Sequence, residues 1–210
     1  MKFSYTNVQS LLSKFDELKI HLCDLSPVVI SPTETWLTQH VDDRELALPG
    51  YQMFRRGREG RQGGGVIKYV KNGINVSDKT DKFSCSSEAI WLSIRVLGSP
   101  SLDVLTVYRP PRRDNMAEAR LPEELEKFAA RPDILIMDDF NAPHIDWSST
   151  HANSSEQTFD RSFLNTALKL FLTQYVMLPT RVREGQQANC LDLVLTKSQG
   201  SIDEVPCLPP

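Results

Sequence analysis

Two hydrophobic rhythms alternate along this chain. Phe3, Tyr5 and Asn7 fall two apart, the spacing of one strand face, and that face runs from two aromatic rings into an amide. Val8, Leu11, Leu12, Phe15, Leu18 and Leu22 then recur at helical spacing, with Pro27 just beyond as a stop. Val28-Val29-Ile30 reads as a buried strand that Pro32 ends, and Thr33-Glu34-Thr35-Trp36 follows at once. Residues 37–50 read as a loop. Strands are expected over Tyr51–Phe54, Val66–Val70, Ile90–Val96 and Val104–Tyr108, the last two joined by the turn Gly98-Ser99-Pro100. Leu121, Leu125 and Phe128 mark a helix from near Pro122, and Ile134–Met137 marks another buried strand. Phe159, Phe163, Leu164, Ala167, Leu168 and Phe171 mark a helix of about four turns, and Leu191–Leu195 the last clear strand.

Strands and helices are interleaved, yet several neighbouring strands have links of only turn length. That excludes a simple βαβ repeat and points to mixed sheets with helices outside, two sheets packed face to face. With 210 residues the chain suffices for one domain with a sizeable core, and 40% hydrophobic with 24% charged residues is an ordinary globular balance.

The net charge of −3 supplies no global positive field, so any contact with nucleic acid must be local, through a basic patch or a bound cation. Cys23, Cys85, Cys190 and Cys207 show no C-x-x-C spacing, which argues against a zinc cluster. No signal peptide and no apolar run of membrane-spanning length is visible, so an intracellular protein with reduced thiols is the expectation.

The chemistry gathers where strands end. Asp138-Asp139-Phe140-Asn141 closes the run Ile134–Met137, and strand alternation places Asp139 and Asn141 on one face, a carboxylate beside an amide. Such a pair either forms an ordinary Asp/Asn turn or handles water and phosphate together. Glu34 is either an exposed acid at a strand end or a ligand for a hard divalent cation, which takes one or two carboxylates with water and phosphate oxygens. Asn7 could supply a further oxygen ligand or hold Glu34, and a role as N-cap of the following helix does not exclude this. Asp192 inside Leu191–Leu195 faces either solvent or a polar cleft, and Tyr108 is either a strand-end aromatic or a phenol within reach of phosphate. Gly63-Gly64-Gly65 precede a strand and lack a Lys-Ser/Thr signature, so they read as a turn and not as a phosphate loop. Arg55, Arg56, Arg58 and Arg61 form the densest basic run, either a solvated loop or a track for a DNA backbone. His21, His40, His144 and His151 show no metal-binding spacing.

Taken in order, these segments resemble the endonuclease/exonuclease/phosphatase superfamily, and more narrowly the apurinic-endonuclease-like domain of non-LTR (LINE-type) retrotransposons. The resemblance is carried by Thr6-Asn7-Val8-Gln9-Ser10-Leu11, Thr33-Glu34-Thr35-Trp36-Leu37, Gly63-Gly64-Gly65-Val66 and Val107-Tyr108-Arg109-Pro110-Pro111. It continues through Asp139-Phe140-Asn141-Ala142-Pro143, Pro179-Thr180-Arg181 and Cys190-Leu191-Asp192-Leu193-Val194-Leu195-Thr196. It implies one such domain over residues 1–210, folded as a four-layer α/β sandwich, that cleaves DNA phosphodiesters with Mg2+ or Mn2+. Asn7 and Glu34 would belong to the metal site. Tyr108 and Asn141 would contact the scissile phosphate, Asp139 would activate water, and Asp192 would support the site. Arg55, Arg56 and Arg109 would contact nucleic acid. DNA as substrate, a nuclear setting and a downstream reverse transcriptase domain in the parent element are implied as well. So are two rivals: a non-catalytic binding relic, and a phosphoesterase acting on another ester, such as a phosphoinositide or sphingomyelin.

Three departures accompany the resemblance. Asp138 stands where the family has glycine, and Pro32 and Lys68 stand where strand residues are usually apolar. The family's site also ends in a Ser-Asp-His segment on a final strand about 20 residues past the Asp192 position. The chain stops at Leu208-Pro209-Pro210 without it, and no histidine follows His151. This implies a domain incomplete at its C-terminus, an open sheet edge, and weak or no cleavage.

Overall fold

The computed structural model describes residues 1–57, 63–84, 88–110, 115–155, 158–182, 188–197 and 202–207; Arg58, Arg61 and Cys85 lie outside this set, and the side chains of 115–118 are likewise not described. Each of its two larger sheets is built around one right-spaced strand–helix–strand crossover. In the first, β1 (Phe3–Asn7) leads into α1 (Leu11–Leu25) and returns as β2 (Val29–Thr33), parallel to β1. β3 (Tyr51–Arg56) and β4 (Val66–Lys71) complete that sheet in the order β1-β2-β4-β3. The chain then turns at Gly73, φ +85°, and changes sheet. β5 (Asn75–Asp78), β6 (Glu88–Arg95) and β7 (Leu102–Tyr108) run antiparallel, and α2 (Asn115–Phe128) carries the chain to β8 (Ile134–Asp139), parallel to β7. A small ribbon of β9 (Ile145–Asp146) and β10 (His151–Ala152), then α3 (Phe159–Lys169), β11 (Thr173–Gln174) and β12 (Asp192–Thr196) follow. The second sheet has the order β11-β12-β8-β7-β6-β5.

Strand alternation sorts the apolar residues into three cores and thereby into four layers. Val66 and Val70 of β4 face Ile90, Leu92, Val104 and Met137 of the second sheet. Their neighbours Ile67 and Tyr69 face the other way, onto Leu11, Phe15 and Leu18 of α1. On the far side, Leu105, Ile136 and Leu195 meet Leu125, Phe128 and Phe163 of α2 and α3. This is the mixed-sheet sandwich expected from the sequence.

Several boundaries differ from the sequence reading, each for a local reason. α1 begins at Leu11 and not at Val8, because the Val8 N–H bonds to Thr33 O and Gln9 and Ser10 hold positive φ. Pro32 does not end β2: it lies inside, opposite Thr6 of β1. Proline brings no N–H, and the ladder from β2 to β4 accordingly skips Ser31 and Pro32 before resuming at Thr33 with Val66. α2 starts at Asn115, well before Pro122, over a polar stretch without periodicity. α3 stops at Lys169, so Phe171, counted in its stripe, stands exposed with φ 54°, and Leu168 is half-exposed. β5 was not visible in the pattern.

Lys68 is wholly buried. Its ammonium crosses between the sheets and donates to Ile90 O (3.2 Å) and Val104 O (3.0 Å), and burial drives its pKa well below the usual lysine value.

Candidate active site

The carboxyl ends of both parallel strand pairs point to one mouth, where open α/β sheets generally bind ligands. Across the second sheet, Tyr108, Asp139 and Asp192 form a row: Asp139 is the register partner of Tyr108 on one side and of Asp192 on the other. Asn7 and Thr33 are register partners at the end of the first sheet, and Glu34 follows immediately.

Asn7 joins the two sheets. Its amide nitrogen donates to Glu34 Oε1 (3.0 Å) and to Asp139 Oδ2 (3.0 Å). Asn7 is therefore not the helix cap, a position Ser10 occupies. Asn7 Oδ1 is buried and has no hydrogen-bond partner among the described residues. Tyr5, two residues earlier on the same strand face, makes a second bridge: its hydroxyl donates to Asp192 Oδ1 (3.0 Å) and lies 3.0 Å from Thr33 Oγ1.

Glu34 and Asn141 both adopt left-handed backbone, φ 50° and 46°. For residues other than glycine this conformation is costly and is held by its surroundings. The loop after β2 caps α1, since Ser10 N–H bonds to Glu34 O (2.9 Å) and Leu11 N–H to Thr35 O (2.9 Å). Asn141 lies past the end of β8, so strand alternation is not what brings it beside Asp139. A tight turn does: Asn141 N–H donates to Asp139 Oδ1 (3.0 Å), and its side-chain amide donates to Arg109 O (2.8 Å).

Burial and like charge dominate the electrostatics. Asp139, 3% exposed, has its carboxyl lifted to about 7, first by burial and then by Asp192, against the opposing pull of the Asn141 N–H. Burial also raises Asp192, while Thr180 and Tyr5 hydrogen bonds restrain the rise. The Tyr5 phenol stands well above its usual range through burial and the nearby carboxylates. Asp138 points the other way. It continues the face of Ile134 and Ile136 into the helix-side core, is fully buried, and neither carboxylate oxygen has a hydrogen-bond partner among the described residues.

Among the described residues, no three His, Cys, Asp or Glu side chains gather into a protein-only metal cage. The donor set is all oxygen, however, with an orphaned buried amide oxygen on Asn7 beside Glu34 and Asp139. That suits a hard cation that completes its shell with water and substrate oxygens. None of the four histidines, all among the described residues, hydrogen-bonds to Asn7, Glu34, Asp139 or Asp192.

The basic candidates lie apart. Arg55 and Arg56 line a cavity of about 250 Å³ next to Thr35, with Arg55 paired to Asp43 (2.7 Å) and Arg56 to Asp81 (3.3 Å). Arg109 is turned inward, donating to Phe140 O and Asn141 O (3.0 Å each) and stacking 3.8 Å over Phe159. Tyr5 and Thr180 were not singled out as site residues, and Arg109, expected at nucleic acid, also fixes the Asn141 turn. For Tyr5 the signal was present, because it shares its strand face with Asn7; Thr180 and Arg109 stood in quoted motifs, but nothing local marks these contacts.

Residues 102–207 match the family model described as endonuclease-reverse transcriptase. No curated protein matches the sequence. Among solved structures, the chain is similar to the endonuclease domain of TRAS1, a telomere-specific non-LTR retrotransposon, at 14% identity over 91% of this chain and 82% of that one, TM-score 0.67. It is similar to the 3'-5' exonuclease NExo from Neisseria meningitidis at 18% identity over 93% and 86%, TM-score 0.64. An AP endonuclease from Archaeoglobus fulgidus aligns at 14% identity over 93% and 86%, TM-score 0.60. At such identities these likenesses speak to the fold, and they agree with the sandwich. The family match spans half of the chain, from β7 through β12, and takes in the row Tyr108, Asp139, Asp192; this protein belongs to the endonuclease-reverse transcriptase family.

Proposed function

We propose that this chain is a retrotransposon-type DNA endonuclease that hydrolyses a phosphodiester with the help of Mg2+ or Mn2+. The observation that carries the reading is the double donation of Asn7 to Glu34 and Asp139, which brings carboxylates from two sheets together beside an unpartnered amide oxygen. Glu34 and Asn7 are the residues that would hold the cation. Bound there, a divalent cation supplies charge neutralisation at the phosphate and at the leaving oxygen.

The protein's own groups do the rest. Asp139, with its proton affinity near neutral pH, takes a proton from the attacking water. Asn141, fixed by Arg109 O, and Tyr108, the register partner of Asp139, hold the scissile phosphate. Tyr5 holds Asp192, which keeps the row of carboxyls in place. As water adds to phosphorus, the P–O3′ bond breaks and the departing oxygen takes a proton, leaving a 3′-hydroxyl able to prime synthesis by a reverse transcriptase domain of the parent element. Arg55 and Arg56, which line the cavity beside Thr35, would contact the DNA backbone. A single domain and a nuclear setting belong to the same proposal. No described helix is long and apolar enough to cross a membrane.

Incubation with supercoiled plasmid tests it. Nicked circles are expected with Mg2+ or Mn2+ and none with EDTA. Nicking that persists in EDTA, or hydrolysis of phosphoinositide headgroups in preference to DNA, overturns it. Tyr5→Phe removes the bridge to Asp192, and one hydrogen bond is worth about 1 kcal/mol. Nicking is expected to fall roughly fivefold at pH 7, with less loss at higher pH, because the phenol's hydrogen bond favours the ionised form of Asp192 that rising pH favours by itself. A pH–rate profile of the variant checks this.

A further inference from the structure

Gly63-Gly64-Gly65 reads as a mere turn in the sequence, yet in the fold it stands between the two halves of the site. All three glycines have positive φ, +87°, +78° and +92°. The Gly64 carbonyl accepts the Trp36 N–H (2.8 Å), and the Gly65 carbonyl accepts the Thr35 N–H (3.3 Å). The glycine segment thus holds the two residues that follow Glu34. From the other sheet, the Glu88 carboxylate accepts the Gly65 N–H. Glu88 is 8% exposed and opens β6, and its register partner is Tyr108. The approach leaves no room for a side chain: a Cβ on Gly64 would lie 2.7 Å from both Glu88 carboxylate oxygens, and a Cβ on Gly65 would collide with Thr35 Oγ1.

We propose that Glu88 is a positioning residue that, through Gly65 and Gly64, sets the Glu34 loop against the Tyr108–Asp139–Asp192 row. The chain of contacts runs from the strand beside Tyr108 to the backbone immediately after the metal-binding candidate. Glu34 comes from one sheet and its partners from the other, so their separation depends on what spans the mouth. Asn7 spans it at one side chain; Glu88 spans it through backbone. Groups that orient a ligand from behind typically change metal affinity by about 10–100-fold when removed. The effect on cation binding rests on the nuclease reading above, whereas the tie itself does not.

The test compares Glu88→Ala with Glu88→Gln, which keeps an acceptor oxygen. Hydrogen exchange reads the tie without any metal. In Glu88→Ala the Thr35 and Trp36 amides are expected to exchange at least about tenfold faster, with the Asn141 amide unchanged; in Glu88→Gln they stay near the parent rate. Calorimetry with Mn2+ reads the consequence: affinity is expected to fall about 10–100-fold in Glu88→Ala and to stay within about threefold in Glu88→Gln. High Mg2+ should then recover part of the nicking rate. Should Glu88→Ala not fold, Gly64→Ala displaces the same carboxylate, with Gly73→Ala as control, since Gly73 has equal backbone strain and open space around it. Unchanged exchange at Thr35 and Trp36 in a folded variant overturns the tie. Faster exchange with unchanged Mn2+ affinity overturns the positioning role. A parent chain that binds no Mn2+ and nicks nothing refutes the nuclease reading instead, and exchange still judges the tie.

Discussion

Asp139→Asn is expected to lower DNA nicking by about 10^2–10^4-fold, the usual worth of a general base, while making the protein more stable at pH 8. Asparagine has the same shape and can still accept the Asn141 N–H, so the turn that places Asn141 survives. What is lost is a group able to take a proton and, at the other carboxyl oxygen, the acceptor of the Asn7 amide. What is gained follows from linkage. The folded chain holds the Asp139 proton up to about 7 against an ordinary value of 3.8. A carboxyl of this kind favours the folded state at low pH, and that contribution is lost as pH rises from near 4 through about 7. One pH unit of displacement corresponds to about 1.4 kcal/mol, so roughly 2–4 kcal/mol is at stake. Urea unfolding of the cation-free protein between pH 4 and pH 8 should slope downward for the parent and be flatter for Asp139→Asn. A variant that nicks at the parent rate removes Asp139 from the chemistry. A variant no more stable than the parent at pH 8 removes the strain assigned to it.

The second large effect is at Asp138, where an acid occupies an apolar wall. Its cross-strand neighbours are Val107 and Leu193, both in the helix-side core. Burial, followed by the charge of Asp139, raises its pKa well above the carboxylate range. The Asp139 N–H lies close enough to temper that rise but makes no hydrogen bond of normal geometry, and the nearby Arg109 charge tempers it less. A buried polar group without a partner costs about 1–3 kcal/mol, more when it is forced to ionise. Asp138→Ala is therefore expected to stabilise the fold by about 2–4 kcal/mol near pH 8 and by less near pH 4, where the unfolded chain also keeps its proton. Thermal unfolding at the two pH values checks the sign: a lower melting temperature at pH 8 would mean that Asp138 has a stabilising partner.

Both effects concern one dipeptide whose members point into opposite media. Alternation along β8 sends Asp139 to the mouth between the sheets and Asp138 toward α2 and α3. Asp138 thereby bears on stability alone and Asp139 on both activity and stability, and the site keeps strain that a more stable protein would shed.

The sequence by itself determined the layers and the cast of the site. Periods of two and of three to four residues marked most of the strands and helices, because a sheet buries alternate residues and a helix buries a stripe. Asn7, Glu34, Tyr108, Asp139 and Asp192 stood out because each is polar at or next to the end of an apolar run, where a side chain leaves the core. Only the tertiary structure decided how they meet. Glu34 and Asn141 take left-handed backbone that no local pattern announces. Tyr5, Thr180 and Arg109 act through hydrogen bonds to distant segments. Pro32 continues a strand because its missing N–H falls where the ladder is interrupted, and β5 forms because β6 offers it an edge. Gly63–Gly65 changed from a turn to a brace for the same reason: close approach between segments far apart in the chain is a property of packing, and packing has no local signature in the sequence.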